Sequence, residues 1–138
     1  MTALTKDIQR VEKRGKLLSM PVKGDVVCFK NALLMIDADG YVKPCASEAG
    51  ASFAGMGYER VTATGLNDGD VSVRIERLNA IEVGASGITQ ADLGKEVYAL
   101  DDNTVQIAAG TNLVKVGVIV EVISATKVLV KMNTNIAK

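Results

Sequence analysis

The sequence predicts an all-β domain of the sandwich or barrel type, and three observations carry that prediction. Apolar residues recur at period two between closely spaced turn residues, which suits half-buried strands and not helices. The apolar residues are mostly β-branched or aliphatic; aromatics make up only 4% of the 138 residues and Trp is absent, so the core is aliphatic. Hydrophobic residues reach 48%, enough for a core without disulfides or metal. The length suits one domain. We place an N-terminal arm at residues 1–15 and a single β domain at 16–138.

The arm is the most polarised stretch. Residues 1–16 contain Lys6, Arg10, Lys13, Arg14 and Lys16 against Asp7 and Glu12, while the whole chain holds 16 basic and 16 acidic residues. The rest of the chain is therefore acidic. A short helical turn is expected from Thr5 to Glu12, with Thr5 as cap. An apolar run follows at Leu33–Ile36, and Asp37-Ala38-Asp39-Gly40 reads as a hairpin turn, although it begins like a calcium loop. Gly55-Met56-Gly57 opens like a dinucleotide fingerprint, but Arg60 occupies the third glycine's place. Small residues that let backbones approach closely are the simpler reading.

Further along, Val71, Val73 and Ile75 share one strand face, with Ser72, Arg74 and Glu76 on the other. Thr89 to Asp92 reads as a single capped turn leading into a strand from Glu96 to Leu100, which Asp101 to Asn103 fold back as a hairpin. Val105 and Ile107 alternate with polar residues. Val114, Val116, Val118, Val120 and Val122 form the longest period-two run. Ser124-Ala125-Thr126 joins it to Val128, Val130 and Met132, with Lys127 and Lys131 facing away. That phase puts Ile119, Ile123 and Leu129 on the outer face. Both faces of this hairpin, and of Leu33–Ile36, are then partly apolar, so a second sheet or a neighbouring subunit must cover them. Leu34, Ile36, Ile119 and Leu129 are the candidate subunit contacts.

Chemistry is hard to find. The chain has no histidine, the usual general base and metal ligand, so Ser-His and Cys-His nucleophiles are excluded. Ser52 in Gly50–Gly55 resembles a nucleophile elbow but has no base to serve it. Lys131 in Val130–Met132 sits in a strand near the C-terminus, unlike a biotin-carrying lysine. No catalytic, cofactor-binding or metal-ligating residue is assigned, and no cofactor is expected. Cys28 and Cys45 are expected as buried, reduced thiols, with a pairing of the two as the alternative. The zero net charge argues against a nucleic-acid partner, and no 18-residue apolar run points to a membrane.

From Gly24 onward the order of features is similar to that of capsid cement proteins of tailed bacteriophages. The stretches that carry the likeness are Val22–Val27, Ala54–Gly57, Asp68–Arg74, Ile88–Ala99, Val116–Val122 and Val128–Lys131. The resemblance covers about four-fifths of the chain; each string alone is common β-protein grammar, and their order and spacing carry the specificity. It implies a jelly-roll-like sandwich or barrel with very little helix. It also implies a non-enzymatic structural role: a homodimer or homotrimer on the outer surface of the virion, made in the bacterial host cytoplasm. Its partner would be the major capsid protein, whose neighbouring capsomers it clamps against DNA pressure. Lys6, Arg10, Lys13 and Arg14 of the arm are the candidate shell contacts. Another virion module of tail or baseplate, or a small-barrel binding domain with a concave pocket, remains the alternative; an enzyme would need clustered, perturbed carboxylates or lysines.

Overall fold

The computed structural model describes residues 17–77 and 80–132. Twelve strands follow one another along the chain: β1 (Leu17–Pro21), β2 (Val27–Cys28), β3 (Leu33–Ile36), β4 (Val42–Pro44), β5 (Ser52–Gly57), β6 (Val61–Thr62), β7 (Ser72–Glu76), β8 (Ala80–Gly84), β9 (Glu96–Ala99), β10 (Val105–Gln106), β11 (Lys115–Ser124) and β12 (Lys127–Met132). One 3₁₀ turn, Gln90–Asp92, is the only helical element among the described residues. No described helix is long and apolar enough to cross a membrane. The all-β sandwich or barrel class expected from the sequence is the class observed, with curled antiparallel sheets forming a half-barrel.

The strands sort by position along the chain. One five-stranded antiparallel sheet has the order β1-β7-β5-β3-β4, the other β10-β9-β11-β12-β8, and β2 pairs with β6 as a separate ribbon. Turn chemistry makes these short connections affordable. Asp37 Oδ1 accepts the N–H groups of Asp39 and Tyr41 at 2.9 Å each, and Gly40 takes φ +93°, so the β3–β4 turn is a hairpin closed by its own aspartate. Asp101 Oδ1 does the same between β9 and β10, accepting from Asn103 and Thr104 at 2.8 Å. At the 3₁₀ turn, Thr89 N–H donates to Asp92 Oδ2 at 2.9 Å while Lys95 Nζ donates to Asp92 Oδ1 at 2.9 Å. Those bonds hold the Asp92 carboxyl below its usual pKa range, the Thr89 amide contributing most.

Two apolar clusters fill the interior. The larger lies between the sheets: Leu33, Met35 and Phe53 meet Val83, Val97, Val116, Ile119, Val128 and Val130. The smaller lies on the opposite side of the first sheet, where Leu34, Ala54, Val73 and Ile75 meet Val22, Cys28 and Ala63. This answers the question raised by Leu33–Ile36. The first sheet is buried on both faces by its own chain, so a continuous apolar run is what β3 requires. Cys28 and Cys45 belong to different clusters, each buried as a free thiol. Burial pushes the Cys28 thiol up to about 11 and raises Cys45 as well.

The β11 phase departs from the valine alternation. Val114, Val116, Ile119 and Val122 turn toward the inter-sheet core, whereas Val118 and Val120 are exposed. Register shifts fall between Lys115 and Gly117 against β9, and between Ile119 and Glu121 against β12. Each bulge sets two residues opposite one and reverses the inward face beyond it. Gly117, at the first of them, lets β12 come close on the other edge, because a Cβ there would collide with the Lys131 carbonyl oxygen.

Candidate binding surface

Two of the five aromatic residues are exposed, and both stand beside an arginine. Phe29 is 48% exposed, more than any other large apolar side chain among the described residues. Its position is fixed by backbone. Asn31 adopts φ +66°, a conformation that asparagine tolerates, and turns the chain so that Ala32 N–H reaches the Phe29 carbonyl at 3.2 Å. Asn31 N–H then donates to Gly57 O at 2.8 Å, and Gly57 N–H to Ala32 O at 2.9 Å. Leu33 N–H donates to Asp102 O at 2.8 Å. The 29–32 turn is thus tied to the end of β5 on one side and to the β9–β10 hairpin on the other.

Gly57 is required for this approach, since a Cβ on it would sit 2.6 Å from the Phe29 carbonyl oxygen. Gly55, at φ +143°, is similarly constrained, with its hypothetical Cβ 2.5 Å from Glu76 O. Close backbone packing is therefore the role of the Gly55-Met56-Gly57 string, as the sequence suggested.

The aromatic faces carry cations. The Arg60 guanidinium lies 5.1 Å from the Phe29 ring centroid, and that of Arg74 lies 4.9 Å from the Tyr58 centroid. Arg74 also holds Glu59 with two parallel hydrogen bonds of 3.0 and 2.9 Å. This fork keeps the Glu59 carboxyl below its ordinary range and raises Arg74. Beside Phe29 a shallow groove of about 230 Å³ is lined by Phe29, Lys30, Asn31, Ala32, Asp102 and Asn103.

Most other charges are spent on closing the fold. Asp25 and Asp68 accept backbone N–H groups from Gly65 and Gly24, at 2.7 and 2.8 Å. Lys23 bridges Asp68 and Asp37 at 3.3 and 3.8 Å. Lys43, Lys95, Lys115 and Lys127 each face a carboxylate. Lys30 and Arg60 differ: neither is in an ion pair among the described residues, Lys30 lines the groove with Phe29, and Arg60 lies over the Phe29 ring. Among the described residues no group of three or more Cys, Asp or Glu side chains is placed to hold a metal ion.

The candidate contacts read from the sequence do not converge on one surface. Lys6, Arg10, Lys13 and Arg14, the 1–15 arm and the Thr5–Glu12 turn lie outside the described residues. Leu34 and Ile119 are 0% and 1% exposed, enclosed by the chain's own two clusters, which corrects their expected exposure. For Ile119 the cause is the β11 bulge; for Leu34 it is the cover over the far side of the first sheet. Ile36 is half-buried against the smaller cluster. Leu129 stays half-buried on the outer face of β12, paired with Glu82 and Glu121. The Phe29–Tyr58–Arg60 surface escaped the sequence reading. Its one signal was local: in an aromatic-poor chain, Phe29 precedes Lys30 and Tyr58 comes two residues before Arg60. Comparison with known protein families, curated proteins and solved structures finds no match to this chain.

Proposed function

We propose that this chain is a non-enzymatic structural protein that decorates the outer surface of a tailed-phage capsid. It acts as a symmetric oligomer bound to the major capsid protein and clamps neighbouring capsomers against DNA pressure. The reading rests on the sequence resemblance together with one structural observation: the β body presents an exposed aromatic–arginine surface whose Phe29 turn is tied by backbone hydrogen bonds. Aromatic and arginine side chains are the groups that anchor protein–protein contacts, because they bring large area and directed hydrogen bonds at low entropic cost. A surface tied by backbone hydrogen bonds from several elements is already organised for a partner. Cement function asks for such contacts repeated by symmetry, and valency multiplies them. The basic residues Lys6, Arg10, Lys13 and Arg14 add an electrostatic contact to the shell in this reading.

The test has two steps. Light scattering on the purified chain should give the mass of a dimer or trimer. Cosedimentation with empty phage heads lacking their decoration protein should then show saturable binding that weakens with salt and on deletion of residues 1–15. A strict monomer that leaves the heads in the supernatant overturns the proposal.

A further inference from the structure

We propose that Phe29, Lys30 and Arg60, with the groove beside them, form a docking site for an extended segment of a partner protein that carries a carboxylate next to an apolar side chain. The inference rests on reading this chain as a protein-binding module, but not on the identity of the partner's shell. Charge complementarity selects the occupant. Residues 17–132 carry ten Lys and Arg against fourteen Asp and Glu, so an unpaired cation is unusual in this body. Lys23, Lys43, Arg74, Lys95, Lys115 and Lys127 are in ion pairs, and Arg77 and Lys131 have partners of their own. Lys30 and Arg60 remain: Lys30 follows Phe29 in the groove lining, and Arg60 lies over the Phe29 ring, the most exposed aromatic ring among the described residues.

The three groups divide the recognition. The Arg60 guanidinium lies 5.1 Å from the Phe29 ring centroid, and its exposed side chain offers N–H donors to a carboxylate. Phe29 and Ala32 supply the apolar floor of the groove, and Asn31 and Asn103 can bond a peptide backbone. Asp102, which lines the groove together with Lys30, limits the choice further. It repels a carboxylate placed beside it, so the acid must lie beside Lys30 and Arg60 and the apolar neighbour over Phe29 and Ala32. A run of phosphates along nucleic acid would meet Asp102 and gain nothing from the apolar floor.

The site can be tested on the full chain, without phage heads, by ¹H–¹⁵N correlation spectra. The probe is the blocked peptide acetyl-Asp-Leu-Glu-Leu-amide. Its Asn/Gln analogue, inorganic phosphate and a hexathymidylate serve as comparisons. The expected result is saturable shifts confined to the amides of residues 29–32, 58–60 and 102–103. Affinity should fall at least about tenfold for the Asn/Gln analogue and for the Lys30→Glu/Arg60→Glu variant, and less for Phe29→Leu. Equal response to the neutral analogue, to phosphate or to the oligonucleotide overturns the proposal. So do shifts at other residues, or movement of the same amides when the chain alone is diluted, which would make a second copy the occupant. Because both substituted charges are exposed, an unchanged spectrum elsewhere verifies that the double variant is folded. A negative outcome removes this site and leaves head binding as a separate question.

Discussion

Truncating Ile119 tests the β11 phase directly. If the alternation Val114 to Val122 ran unbroken, Val118 and Val120 would be core residues and Ile119 would face solvent. In the folded chain Ile119 is 1% exposed among inter-sheet residues, whereas Val120 is 46% exposed. Ile119→Ala deletes three buried carbons. At about 0.8 kcal/mol each this gives about 2.4 kcal/mol of lost transfer energy. The cavity left behind adds to it, within the roughly 2–5 kcal/mol range of such truncations. Val120→Ala removes two half-hydrated carbons and should cost under about 1 kcal/mol. Both replacements sacrifice β propensity, so their difference isolates burial. Urea unfolding followed by circular dichroism reads the result. With a slope of about 1.5 kcal/mol per molar, Ile119→Ala should lower the midpoint by about 2 M and Val120→Ala by about 0.5 M. Equal shifts for the two variants, or a larger one for Val120→Ala, would refute the bulged register.

Gly117→Ala places a methyl against the Lys131 carbonyl and should cost about 1–3 kcal/mol, with amide exchange accelerating first along the β11–β12 pairing. The Asp92 carboxylate has a folded-state pKa below its ordinary 3.8, so its contribution to stability is complete above about pH 4 and lost as pH falls through the depressed value. The stability gap between the wild-type chain and Asp92→Asn should therefore be constant from pH 5 to 8 and close on acidification; a gap that persists undiminished to pH 2 contradicts the assignment. With burial holding the Cys28 thiol at about 11 instead of 9.0, its thiolate fraction at pH 8 falls about a hundredfold. A disulfide-exchange reagent should label Cys28 and Cys45 slowly in the native chain and rapidly in denaturant, and fast native labelling of either would contradict the packing.

Much of the fold is legible in the sequence because its signals are local. Period-two apolar residues mark β7 and β12, and Asp37, Asp101 and Asp92 close their turns with their own side chains, needing nothing remote. The absence of histidine narrows the available chemistry without any structure. Three features depended on the tertiary fold. Which face of β11 is inward depends on how many residues its neighbours β9 and β12 set opposite it, and a valine at every second position is silent about a bulge. The double-sided burial of β3 depends on a β2–β6 ribbon and loops closing over the far side of its sheet. Finally, Phe29, Arg60 and the Asp102 wall are distant in sequence. They meet because Gly57 and Leu33 anchor one turn to two separate elements, and hydrogen bonds between remote backbones leave no periodic trace in the residues that make them.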